Sequence, residues 1–169
     1  MKKNLHFYTF SLLFFVFGAA FLPAQTAAEM EDLLNTGAVN YGQAARFVLK
    51  AADTPAFSNL DQLPSSSGAF NYAMGQKWLP KTAESNGKAS LEGVSLLIMR
   101  SFGIKGGLMY TLFKNPHYAF REMVYQDIIQ GRNDPQMDVS GETLIFLINR
   151  VISRTQEDVD YDTVLENQQ

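Results

Sequence analysis

Apolar positions recur along the chain at a helical spacing, and the same stripe returns every 50 residues. In "AVNYGQAARFVLKAA" (38–52) it is Ala44, Phe47, Val48 and Ala51. In "KASLEGVSLLIMRSF" (88–102) it is Val94, Leu97, Ile98 and Ser101, and in "DVSGETLIFLINRVI" (138–152) it is Leu144, Leu147, Ile148 and Val151. Positions i, i+3, i+4 and i+7 lie on one side of an α-helix, so each stretch predicts a helix with one buried face. Asn40, Ser90 and Ser140 precede the stripes, and their side chains cap helix N-termini. Lys50, Arg100 and Arg150 follow late in each stretch, where a cation suits a helix C-terminus.

A second helix is predicted upstream of each later stripe. "GAFNYAMGQKWL" (68–79) lies over "YAFREMVYQDII" (118–129), and polar loops follow, "PKTAESNGKA" (80–89) and "QGRNDPQMDV" (130–139). Gly, Asn, Asp and Pro there suit a reversal of the chain. Residues 70–102 align with 120–152 without a gap and with seven identities, Phe70, Gln76, Ser90, Glu92, Leu97, Ile98 and Arg100. Upstream of the first stripe, "AAEMEDLLNTGAVN" (27–40) supplies a short helix and a shorter loop. The expected fold is all-α. It has three helix–loop–helix units of about 50 residues, roughly 27–52, 68–102 and 118–152, within a domain of residues 25–152. Units of this period pack together because none buries its apolar stripe alone.

This arrangement resembles the S-layer homology (SLH) domain family. The resemblance spans roughly residues 27–152 and is carried best by 113–152. Phe113, Pro116, Tyr118-Ala119, Ile128-Ile129-x-Gly131 and Ser140-Gly141-Glu142-Thr143-Leu144 occupy the family's aromatic, turn, Trp-Ala, Gly-Ile-Ile-x-Gly and Thr-Arg-Ala-Glu-Phe places. It implies three tandem units in a pseudo-threefold helical bundle. It also implies a non-catalytic envelope module that associates with cell-wall polysaccharide or peptidoglycan. The family's groove Arg is replaced by Tyr41, Leu91 and Gly141, its Glu by Gln43, Gly93 and Thr143, and its Trp by Gly68 and Tyr118. An anionic glycan therefore loses its usual cationic partner. The alternative is a structural protein of the periplasm or outer surface that binds other envelope proteins and has lost the glycan site.

Composition narrows the setting. Lys2 and Lys3, the apolar run 7–21 and the small residues before Gln25 read as an export signal over residues 1–24, cleaved after Ala24. The uncharged run 4–23 also fits an uncleaved membrane anchor. The absence of a basic stop-transfer flank favours cleavage, with no integral span afterwards and a periplasmic or surface location. The chain has no cysteine, so disulfides, thiolate metal sites and a lipobox are excluded. Glu157, Asp158, Asp160, Asp162 and Glu166 make residues 153–169 an acidic tail, expected to be disordered. No basic stripe is present, which argues against nucleic acid as a partner.

Candidate chemistry is limited. His117 is the lone histidine beyond residue 24, too little for a metal site or a triad. Lys105-Gly106-Gly107 lacks the spacing of a phosphate loop, and no strand pattern precedes it. Neither an enzyme nor a cofactor is indicated. Tyr41, Tyr72, Tyr118 and Tyr125 are the aromatics that could stack on sugar rings along a groove. Arg121 and Arg132 are its best cations, and Glu142 completes the expected ligand-binding set. The Gly-rich apolar stretch "GIKGGLMYTLFKNP" (103–116) is either an ordered cover or an exposed docking patch.

Overall fold

Asn40, Ser90 and Ser140 set three of the expected helix starts in the structure, a computed structural model that describes residues 21–54, 65–131 and 134–166. Seven helices are present among the described residues. They are α1 (Phe21–Leu34), α2 (Tyr41–Ala51), α3 (Ser66–Gly75), α4 (Leu91–Ser101), α5 (Leu108–Phe113), α6 (Pro116–Tyr125) and α7 (Gly141–Glu166). The chain forms all-α structure, with two isolated antiparallel bridges, Asn40 to Lys88 and Ser90 to Asp138. It divides into two units, residues 1–33 and 34–169. Helix α1 carries the described part of the first. Residues 1–20, most of the expected export signal, lie outside the described residues. Among the described residues no helix is long and apolar enough to cross a membrane.

In the second unit each longer helix opens on a side-chain cap. Asn40 forms a capping box with Gln43. The Gln43 amide donates to Asn40 Oδ1 over 2.8 Å, and the Asn40 amide donates to Gln43 Oε1 over 3.0 Å. Ser65, Ser90, Asn115 and Ser140 accept from the amides of Gly68, Gly93, Tyr118 and Thr143 at 3.0–3.3 Å. Each such cap is worth about 1 kcal/mol of helix stability.

Four helix ends follow one rule. Asp53, Lys77, Gly103 and Asp127 take left-handed φ values of 47°, 59°, 64° and 56°. The amide of the next residue then reaches five residues back, Thr54 to Leu49, Trp78 to Ala73, Ile104 to Met99 and Ile128 to Met123. This Schellman turn satisfies carbonyls that a helix end leaves open. It stops α3 and α6 at Gly75 and Tyr125, four residues before the ends the sequence predicts. Leu79, Ile128 and Ile129 then turn into the core.

Three buried residues join the segments that precede α2, α4 and α7. The Val39 amide donates to the Val139 carbonyl over 2.8 Å, the Val139 amide to the Ala89 carbonyl over 3.0 Å, and the Ala89 amide to the Val39 carbonyl over 2.9 Å. The circuit is closed, and all three residues are fully buried. Outside it, Tyr41 donates to Gly87, Leu91 to Met137 and Gly141 to Thr36, all through main-chain atoms. The stripe residues Ala44, Phe47, Val48, Val94, Leu97, Ile98, Leu144, Leu147, Ile148 and Val151 are buried. Each large one contributes roughly 1.5–3 kcal/mol of burial. Helix α3 packs on α2, α6 on α4, α2 on α4, and α5 on α6. The closest pairs are thus α2 with α3 and α4 with α6, each a stripe helix against the first helix of the next expected unit.

Two expectations differ in detail. The acidic stretch expected to be disordered continues α7 to Glu166, because neither Gly nor Pro follows Gly141 to break the helix. For the same reason Arg150 sits in mid-helix, its guanidinium 5.5 Å from the Phe146 ring centre, whereas Lys50 and Arg100 occupy last turns.

Tyr41 links α2 to α4. It is 7% exposed; its phenol pairs with Ser90 Oγ at 3.1 Å and accepts from the Ser90 amide at 3.3 Å. Gly93 makes room, since a Cβ there would stand 2.8 Å from Tyr41 Cε1. Alanine for glycine normally strengthens a helix by about 1 kcal/mol. Gly93→Ala should instead destabilise the protein by about 1–3 kcal/mol, as overpacking does, read from the urea midpoint. Lys77→Gly should raise that midpoint, gaining about 1 kcal/mol by relieving the left-handed backbone.

Candidate binding surface

The stretch 103–116 builds the surface. Gly103 ends α4, and the chain then runs close along α6. A Cβ on Gly106 would lie 3.0 Å from Glu122 Cγ, so only glycine permits this approach. Gln126 fastens the segment, its Nε2 donating to the Lys105 carbonyl and to Glu122 Oε1, both at 2.9 Å. Helix α5 follows, with Tyr110 as its buried residue. Leu108, Met109, Leu112 and Phe113 are exposed. Phe113 stacks on Tyr118 of α6 at 5.4 Å and 24°, and His117 meets Tyr118 edge-on.

Two depressions share Tyr110 as a wall. One, of about 530 Å³, is lined by Leu108, Met109, Tyr118, Arg121, Glu122 and Tyr125. Tyr125 is 84% exposed, a ring with its faces open to a ligand. The other, of about 420 Å³, carries Arg100, Lys105 and Lys114 with Thr111. Burial pushes the Tyr110 phenol above its ordinary 10.0; Arg100 opposes the shift and Glu122 adds to it.

The expected site residues separate. Tyr118 and Arg121 come together at the first depression, with Tyr125 beside them. Tyr41 is buried at the start of α2 with its phenol on Ser90. Tyr72 is half-buried on α3, its ring 5.7 Å from Trp78 in an edge contact. Glu142 is exposed in the first turn of α7. Arg132 lies outside the described residues. Sequence reasoning missed Glu122, Arg100, Lys105 and Lys114 as participants. Two lysines flanking a Gly-rich apolar run were the available sign.

Among the described residues no three His, Cys, Asp or Glu side chains converge on a metal position. The first depression offers aromatic faces for stacking, one cation and one carboxylate. That set suits binding of a polar ligand through stacking and hydrogen bonds. No protein-family model, curated protein or solved structure matches the chain.

Because the folded-state value of Tyr110 is raised, its stabilising contribution is complete below pH 10.0 and is lost as pH climbs through the folded value. The thermal midpoint should therefore fall as pH rises above 10.0, and Tyr110→Phe should flatten that fall.

Proposed function

We propose that the protein is an exported, non-catalytic cell-envelope module that holds wall polysaccharide or peptidoglycan at the depression between α5 and α6. In this reading the body is an SLH-like bundle of three units related by a pseudo-threefold axis. The closed backbone circuit of Val39, Ala89 and Val139 supports it, since these residues stand 50 apart and each gives one bond and takes one. The same interval separates Tyr41 to Gly87 from Leu91 to Met137, and Gly42 to Ser85 from Glu92 to Pro135.

The observation that carries the glycan reading is the exposed Tyr125 ring beside Tyr118, Arg121 and Glu122, around one open depression. Sugar rings present C–H faces to aromatic planes and hydroxyls to charged side chains. Arg121 then supplies the cation absent from the family's usual groove position. A protein partner is the second reading, favoured by the outward apolar side chains of Leu108 and Leu112, which a sugar platform does not require.

Pelleting the purified protein with insoluble wall sacculi, before and after stripping bound polymers, tests the choice. Saturable co-sedimentation is expected. Tyr125→Ala should weaken it about 2- to 10-fold, the range of one aromatic contact, with the thermal midpoint unchanged. Protein left wholly in the supernatant would sink the glycan reading and leave the protein partner.

A further inference from the structure

Helix α5 presents its apolar side chains to solvent. Leu108, Met109, Leu112 and Phe113 are exposed by 82, 52, 68 and 52%, and Tyr110 alone of its six residues is buried. Burying those side chains in water's place would be favourable, so the helix is built to meet something. Beside it, Arg100, Lys105 and Lys114 line the second depression without an acidic residue among its walls. Among the described residues none of these three cations has a carboxylate within salt-bridge distance. The whole chain carries a net charge of −3, so this local cluster runs against the average.

We propose that α5 is a peripheral membrane-docking wedge for anionic phospholipid. Leu108, Met109, Leu112 and Phe113 enter the headgroup–acyl boundary, and the depression bearing Arg100, Lys105 and Lys114 receives a lipid phosphate. The chemistry matches from both sides. Apolar side chains and aromatic rings gain from the boundary, and cations at the same level meet the negative surface potential. Tyr125 and Tyr118 stand at the rim, where a ring with a polar tip is stable. A helix of six residues is about 9 Å long and cannot span the bilayer. The contact is therefore peripheral. It takes the phosphate at the cationic depression rather than the one lined by Arg121, although Leu108, Met109, Tyr118 and Tyr125 also wall the depression read above as the glycan site.

The absence of cysteine makes a local test possible. Leu112→Cys in the full chain gives one attachment point for a nitroxide label. Its collision rates with oxygen and with a water-soluble nickel chelate are read on vesicles. The label reports α5 alone, so attachment of the chain through its apolar residues 7–21 does not imitate the result. On vesicles of phosphatidylglycerol and phosphatidylcholine the label is expected to shift toward oxygen and away from nickel. On phosphatidylcholine alone it should stay in water, and free inorganic phosphate should leave it there. Adding Lys105→Glu with Lys114→Glu should abolish the shift on anionic vesicles, and Leu108→Cys should reproduce the wild-type pattern. A label that stays in water on anionic vesicles, or is immersed equally on both kinds, would overturn the proposal. So would a label shielded by an acidic polypeptide but not by lipid, which would assign the face to a protein.

Discussion

Three hydrogen bonds hold the second unit in its arrangement. Val39, Ala89 and Val139 are fully buried, and a buried amide or carbonyl without a partner costs about 1–3 kcal/mol. Each residue gives its N–H to one neighbour and its C=O to the other, so none can be withdrawn without orphaning two groups. Helices α2, α4 and α7 begin two residues after each member of the circuit, at Tyr41, Leu91 and Gly141. The circuit therefore fixes where three helix N-termini meet. The apolar stripes then decide how those helices lie.

The stripes were legible because burial of one helix face leaves a period in the sequence. Asn40, Ser90 and Ser140 were legible as starts because an N-cap needs an oxygen on a short side chain. The ends were not. Lys77 and Asp127 take a conformation that glycine would advertise, and their side chains give no sign of it. The packing of α3 on α2 and α6 on α4 was also hidden, because an apolar face does not name its partner. The circuit itself is made of main-chain atoms; sequence discloses only the interval at which its members stand.

The site divides in the same way. Tyr118 and Arg121 sit three residues apart on one helix, so helical geometry alone brings them together. Tyr41 carries the same ring and belongs elsewhere, because the missing side chain of Gly93 on another helix makes a slot for it. Arg100, Lys105 and Lys114 meet only because the chain bends back through Gly103 and Gly106. Both depressions border the stretch 103–116. The hydrogen bonds that recur at intervals of 50 residues lie in the buried frame, and the stretch 103–116 carries the exposed chemistry.

The closed circuit sets how this protein can fold. Helical proteins ordinarily fold fast because their contacts are local in sequence. Here the bond from Val39 to Val139 closes a loop of 100 residues, and the other two close loops of 50. Each doubling of loop length adds only about 0.6 kcal/mol of closure entropy, so the topology is affordable at equilibrium. Its cost falls on the rate instead. No pair of neighbouring segments can complete the circuit, so growth from one end, as in a linear array of helices, has no stable stopping point. The chain has to bring its first and last stripe helices together before the circuit closes, a non-local step of the kind that slows folding.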